Sequence, residues 1–241
     1  MTFAGETTLD TCRILHACAT IDDPKSNRGQ DSPLDREVRE LGINPKDIRK
    51  EIQDLFTSKR LLIPKTIEQE LQDHLLESNP KLNEKNRGRL KHLLSMFKGR
   101  IVEVATTTAD YEMQKKIFAA IEKDAEKRVR KIEIKTNSNL EGWEEKPQEA
   151  CRSPLLREIY KDPVCKTWQK IKNFKDDVIN TARGLKPKNP FFLNDLQIIL
   201  VAKKRKALIS THDGDIKVLL AAYNQILQEE KLHHSALLPS H

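Results

Sequence analysis

The chain has 241 residues, of which 37% are hydrophobic and 33% are charged, and its formal net charge is +7. These proportions exclude a wholly disordered chain, and no apolar run approaches the roughly 20 residues that a membrane-spanning helix needs. The segment from Met1 to Thr8 contains Glu6 and no basic residue, unlike a signal or transit peptide. We therefore expect a cytoplasmic location and no membrane partner.

Helix-start signals and short apolar runs predict helices that alternate with strands. Helices are predicted to begin after Asp10 and at two pairs of a polar cap and a proline, Ser32-Pro33 and Asn44-Pro45. This alternation predicts an α/β fold with a short parallel sheet covered by helices. The remaining predicted elements are a strand at 61–63, helices at 66–77 and up to Gly99, a strand or helix continuation at 101–104, a helix at 109–131, a helix at 155–182 interrupted at Pro163, a helix at 195–206, a strand at 207–210 and a helix at 216–231.

The distribution of charge bears on the class of partner, and the spacing of the cysteines bears on the state of their thiols. Residues 85–100 contain six basic residues and no acidic one, and residues 166–188 contain seven basic residues against two acidic ones. This bias suits a polyanionic partner, although a lysine-rich, solvated helix face explains it equally well. The four cysteines match no zinc or redox spacing and are expected to be reduced thiols. Loops are predicted at 22–32, 137–154 and 184–190.

Several carboxylates stand at or near the ends of predicted strands. Asp10 follows the first strand, Glu70 lies early on the helix after the second, and Asp195 begins the helix before the last strand. Asp213 and Asp215 follow that last strand. The carboxyl ends of parallel strands form one edge where ligands bind, so these acids are expected to converge there. Clustered carboxylates repel one another unless a hard cation such as Mg²⁺ or Mn²⁺ lies among them. Each acid by itself is better explained by helix capping or surface exposure, so the prediction depends on the whole set.

The longest motif is residues 194–216, NDLQIILVAKKRKALISTHDGDI. Asp195 opens a helix, a short strand follows, and Thr211-His212-Asp213-Gly214-Asp215 closes the motif. This stretch resembles the PIN-domain family, which includes the toxin ribonucleases of toxin–antitoxin pairs. Leu9-Asp10-Thr11 looks like the first acidic site of that family and Glu70-Leu71 like its second, so the order Asp, Glu, Asp, Asp along the chain is the same.

The resemblance implies a metal-dependent endonuclease with a three-layer α/β/α PIN-like fold. It implies one PIN-like domain over 1–241 with a mainly helical, basic insertion at 80–190. RNA is the expected substrate, and a metal-activated water would attack the scissile phosphate. Thr211 would hydrogen-bond a carboxylate or a metal-bound water, and Asp215 would be an additional ligand or support the others. The metal-binding set that the resemblance implies, for Mg²⁺ or Mn²⁺, is Asp10, Glu70, Asp195, Asp213 and Asp215.

The sequence also departs from the family pattern and leaves alternatives open. Cys12 stands where an Asn is common, and 125 residues (195 − 70) separate Glu70 from Asp195. One alternative is a catalytically inactive PIN-like scaffold that binds nucleic acid or a protein partner. Another is an unrelated helical nucleic-acid binder, which predicts no parallel sheet. An inhibitor protein and a second copy of the chain are further candidate partners, while His212 is interpreted as an incidental loop residue and His16 as a structural one.

Overall fold

The computed structural model describes residues 5–21, 31–75, 80–105, 107–140, 142–143, 153–182 and 192–236, and of these it leaves out the side chains of 174–182, 192–194 and 231–236. The predicted loop at 184–190 and most of those at 22–32 and 137–154 lie outside the described residues. Within the described ranges, no helix combines the length and the apolar character that crossing a bilayer requires.

Four strands and ten helices make up the described chain. The strands are β1 (Thr7–Leu9), β2 (Leu61–Pro64), β3 (Ile101–Val102) and β4 (Leu208–Ser210). The helices are α1 (Thr11–Cys18), α2 (Pro33–Glu40), α3 (Pro45–Thr57), α4 (Lys65–His74), α5 (Glu84–Phe97), α6 (Thr108–Thr136), α7 (Pro154–Lys161), α8 (Pro163–Ala182), α9 (Phe192–Arg205) and α10 (Gly214–Ala236).

The strands form one parallel sheet in the order β3-β2-β1-β4. Thr7 pairs with Leu61 of β2 on one side and with Leu208 of β4 on the other, so β1 is a central strand. The α/β class is confirmed, and the arrangement is compatible with three layers, whereas the alternative of an unrelated helical protein is wrong. Strand order reverses between β1 and β4, which makes the carboxyl ends of these two strands the topological switch point of the sheet.

Local capping explains where the early helices begin. Ser32 and Asp35 form a reciprocal capping box at the start of α2, with Pro33 in the first turn. The side chain of Asn44 caps α3, which begins at Pro45. Both predicted helix starts are confirmed. The polar strand β1 is nevertheless buried along its length, and sheet partners on both sides pair with its backbone.

The chain separates into two compact units. The first unit comprises Met1–Ala105 and Gln197–Asp213, and the second comprises Thr106–Leu196 and Gly214–His241. The single domain with an insertion at 80–190 stays a prediction. In the first unit α5 packs on α1 and β3 pairs with β2, and in the second unit α10 packs on α6 and α8. Which apolar faces meet depends on contacts between distant segments and is not visible in local periodicity.

The helices of the second unit surround their own core. A helix break is predicted at Pro163, and it is confirmed: α7 ends at Lys161 and α8 begins at Pro163. Asp162 stabilises the new helix start, because its Oδ1 accepts hydrogen bonds from the backbone N–H groups of Val164, at 2.9 Å, and Cys165, at 3.2 Å. The buried side chains of this unit include Ile121, Ala125, Val164, Cys165, Trp168, Ile171 and Leu219.

Candidate functional site

Asp10 lies immediately after β1 and begins α1. Its Oδ1 accepts a hydrogen bond of 2.5 Å from the backbone N–H of Arg13, so the carboxylate is the N-cap of the helix. The residue is 1% exposed. Burial raises the pKa of Asp10, hydrogen bonds from Thr211 and Arg13 oppose this shift, and the charge of Asp213 adds to it, with a net rise. Asp10 is therefore a buried acid with a second acid close to it.

Thr211 joins these two acids. Its hydroxyl donates a hydrogen bond to Asp10 Oδ2 and accepts one of 2.8 Å from the backbone N–H of Asp213. Thr211 and Asp213 follow β4, which is paired with β1, so the two acids come from neighbouring parallel strands. The sheet order thus brings residues about 200 positions apart (213 − 10 = 203) together at the switch point.

Glu70 reaches the same edge of the sheet from α4. Its Oε2 accepts a hydrogen bond of 2.7 Å from the hydroxyl of Thr11, the residue next to Asp10. Glu70 is half-buried, and Thr11 is buried. Asp10, Glu70 and Asp213, which the sequence placed at separate strand ends, are therefore linked through the hydroxyl groups of Thr11 and Thr211.

Cys12 also faces this group. Its thiol lies 3.8 Å from Asp213 Oδ2, as a donor to that carboxylate. Burial raises the pKa of the Cys12 thiol, and the charges of Asp10 and Asp213 raise it further, so the sulfur keeps its hydrogen at neutral pH. At the position where the PIN-domain pattern often has Asn, this chain thus places a weaker hydrogen-bond donor.

A chain of polar side chains runs beside the acids, and the sequence did not reveal it. Arg13 Nη1 contacts His212 Nε2, His212 Nδ1 lies 2.9 Å from His16 Nδ1, and His16 Nε2 lies 3.3 Å from Glu37 Oε1. Arginine only donates, so we assign Nε2 of His212 as the acceptor and Nδ1 as the site of its hydrogen. His16 then accepts at Nδ1 and donates from Nε2 to Glu37.

The two imidazole rings in this chain are held against each other. Their centroids are 5.2 Å apart, with planes inclined by 28°. Burial lowers the pKa of His16 and outweighs the opposing effect of Glu37, so a neutral ring is favoured. The sequence suggests a structural role for His16 and an incidental one for His212, but the two residues form one network. Their separation of 196 residues (212 − 16) gives no sign of this contact.

The other two predicted acids belong to the second unit. Asp195 is half-buried on the first turn of α9. Asp215 is buried, its Oδ1 accepts a hydrogen bond of 2.7 Å from the hydroxyl of Thr167, and its Oδ2 is paired with Lys170. These contacts engage both oxygens of Asp215 within the helical unit. That Asp195 and Asp215 bind metal stays a prediction.

The donor chemistry around Asp10 fits a hard cation only with water completing its coordination. Within the described residues, no three side chains of Asp, Glu, His or Cys form a group that could hold a metal ion. Asp10 accepts hydrogen bonds from the backbone N–H of Arg13 and the hydroxyl of Thr211, and the backbone N–H of Asp213 also contributes. The two oxygens of a carboxylate offer about four lone-pair sites, so acceptor capacity is left for a cation. Since Mg²⁺ is commonly bound by one or two carboxylates and retains several waters, Asp10 and Asp213 fit such an ion, with Glu70 nearby.

The resemblance to the PIN-domain family stays a prediction from the motifs around Asp10, Glu70 and residues 194–216. Comparison with known proteins adds no family assignment to it. No protein-family model matches the chain, and no curated protein or solved structure matches it either.

Proposed function

We propose that this protein is a metal-dependent endonuclease that hydrolyses phosphodiester bonds, with RNA as the expected substrate. The observation that carries the proposal is the pair Asp10 and Asp213. They follow neighbouring parallel strands at the switch point of the sheet, Thr211 joins them, and the charge of Asp213 raises the pKa of Asp10. This is the edge at which parallel α/β folds bind ligands.

The charge balance at Asp10 supports the binding of a cation. Within the described residues, no lysine or arginine side chain pairs with Asp10; its hydrogen-bond donors are the Thr211 hydroxyl and backbone N–H groups. Asp215 of the second unit shows the contrast, since Lys170 neutralises it directly. A buried carboxylate next to a second acid and without a basic partner is costly, and a bound divalent cation would remove that cost.

The residues of the site have distinct roles in this proposal. Asp10 and Asp213 would hold the cation, Thr211 fixes the orientation of the Asp10 carboxylate, and Thr11 fixes Glu70. A divalent cation supplies an activated water at neutral pH and neutralises charge on the phosphate. The net charge of +7 suits a polyanionic substrate, because neutralised phosphates release counterions.

The proposal is tested by cleavage of end-labelled RNA, with single-stranded DNA in parallel, in Mg²⁺, Mn²⁺ or EDTA. Wild type is expected to cleave RNA only with metal, whereas Asp10→Asn and Asp213→Asn are each expected to lose activity by about 100-fold or more. Glu40→Gln is the matched control, because Glu40 is an exposed acid of the first unit on α2. Equal cleavage by wild type and both site variants would overturn the proposal. Faster cleavage of DNA than of RNA would identify DNA as the substrate.

A second readout does not depend on catalysis. Added Mg²⁺ or Mn²⁺ is expected to raise the Tm of wild type and of Glu40→Gln but not of Asp10→Asn or Asp213→Asn, because a ligand that binds only the folded state stabilises it.

The lack of a three-residue metal group among the described side chains favours the second candidate function, a catalytically inactive scaffold. That candidate predicts neither a metal-induced Tm rise nor cleavage.

A further inference from the structure

A cavity of about 190 Å³ opens at the carboxyl ends of β2 and β3, within the first unit. Pro64 and Val102, the last residues of these strands, contribute to its lining. Asp10 and Asp213 follow the other two strands of the same parallel sheet. Because neighbouring strands are about 4.8 Å apart, the ends of β2 and β3 lie about 5–10 Å along the edge from that of β1. The cavity therefore neighbours the acid pair.

The lining combines apolar walls with groups that can donate and accept hydrogen bonds. Val102 and Val201 provide apolar surface, and the amides of Gln69 and Gln197 line the same space. Thr66 also lines the cavity, and its hydroxyl oxygen is buried without a hydrogen-bond partner among the described residues. A buried polar atom without a partner is uncommon in folded proteins and suggests that a ligand supplies one.

Size and charge restrict the class of ligand. The volume is below the roughly 300–1,000 Å³ of pockets that enclose a whole ligand, so the cavity takes one ring of a larger molecule. A phosphate group is a poor match, because Glu103 lines the cavity and the ammonium of Lys65 lies 2.6 Å from the carboxylate of Glu68. A purely apolar ring would leave the Thr66 hydroxyl unsatisfied. A flat heterocycle with a polar edge matches both the walls and the polar groups.

We propose that this cavity binds a nucleobase of the substrate strand, beside the scissile phosphate, and so sets base preference. This inference rests on the proposed nuclease function, since the acid pair then defines where the phosphate lies. Unpaired bases are commonly recognised by contacts to the ring and by hydrogen bonds to its edge. Glutamine amides present both a donor and an acceptor to such an edge.

The first test is binding of adenosine, guanosine, cytidine and uridine, measured by ligand-observed NMR in EDTA. These probes have no phosphate and the buffer has no metal, so neither cleavage nor the acid pair contributes. At least one nucleoside is expected to bind, and Thr66→Val and Gln69→Leu are each expected to weaken it about 3- to 10-fold, the effect of losing one hydrogen bond. Gln53→Leu is the control, because Gln53 is an exposed glutamine on α3, outside the cavity lining. Equal binding by wild type and both variants, or no binding, overturns the inference.

The second test maps cleavage sites on an RNA of mixed sequence. Gln69→Leu is expected to change the base preference at the cleaved junction while the metal-induced Tm rise stays as in wild type. Cleavage without any base preference, together with no nucleoside binding, would contradict the base-binding cavity and leave the nuclease proposal standing. Nucleoside binding that depends on Thr66 and Gln69, in a protein that does not cleave RNA or DNA, would contradict the nuclease proposal and support the base-binding cavity.

Discussion

Asp10 and Asp35 are two acids of the first unit that are buried to the same degree, 1% and 0% exposed, and are surrounded very differently. Burial favours a higher pKa for Asp35, but its hydrogen bonds outweigh burial and the pKa falls below its ordinary value. The pKa of Asp10 is raised. The donors to Asp35 are the backbone N–H and hydroxyl of Thr20, the same two groups of Ser32, and the side-chain amides of Asn83 and Asn86.

The difference separates an acid whose charge is met by many donors from one with fewer donors, and the second is the acid that we propose binds a cation. Asp35 ties together the chain after α1, the start of α2 and the start of α5, and its charge is fully met by donors from those segments. Asp10 has fewer donors and faces the charge of Asp213 instead. Native proteins tolerate such local shortfalls mainly at functional sites.

The largest expected effect is the loss of stability in Asp35→Ala. The substitution leaves several buried donors without an acceptor, at about 1–3 kcal/mol each, so we expect the free energy of unfolding to fall by about 3 kcal/mol or more. Urea denaturation followed by circular dichroism measures it. Glu40→Ala, on the exposed face of the same helix, is expected to stay within about 0.5 kcal/mol of wild type. A loss of similar size in both variants would mean that the hydrogen bonds to Asp35 do not hold these three segments together.

The pH dependence of stability should show the same contrast. The folded-state pKa of Asp35 lies below its unfolded value, so its ionised form favours folding. This contribution is fully present above the unfolded pKa of about 4 and is lost as the pH falls through the folded pKa. The gap in unfolding free energy between wild type and Asp35→Asn should therefore narrow below about pH 4. A gap that is constant down to about pH 2 would contradict this assignment.

Asp10→Asn is expected to change the free energy of unfolding in the opposite direction. The folded-state pKa of Asp10 lies above its unfolded value, so its charge opposes folding at neutral pH and this cost disappears as the pH falls below the unfolded pKa. Asn keeps the capping function at the start of α1 and removes the charge. In EDTA, we expect Asp10→Asn to be more stable than wild type by about 0.5–2 kcal/mol at neutral pH, with the gain shrinking in acid. A variant that is less stable than wild type in EDTA would show that Asp10 mainly supports the fold.

Local and nonlocal features of this chain differ in how far the sequence predicts them. The starts of α2 and α3 follow from a cap and a proline in adjacent positions. The strand predicted at 61–63 follows from one apolar run, and in the structure it extends to Pro64. Membership of α10 in the helical unit could not be predicted, because one apolar stripe fits many partners. The length of β3 could not be predicted either, because a strand of two residues is too short to show a periodic pattern in the sequence.

The same difference between local and nonlocal features is found at the candidate site. Asp10, Glu70 and Asp213 could be predicted as a group because each stands at a strand end or on the following helix, where topology fixes its position. The network of His16 and His212 could not be predicted, because it depends on side chains from distant segments that carry no motif. Lys170 beside Asp215 is of the same kind, since 45 residues separate them.

The smallest expected effect compares two threonines on either side of Asp10. The hydroxyl of Thr8 is buried without a hydrogen-bond partner among the described residues, whereas that of Thr11 donates to Glu70. Valine has nearly the shape of threonine and no hydroxyl, so Thr8→Val should raise the free energy of unfolding by about 1 kcal/mol and Thr11→Val should lower it by about the same amount. Both changes are measured by urea denaturation in EDTA. A shared sign would mean that packing of the new methyl group, and not the hydrogen bond, decides stability at this edge of the sheet.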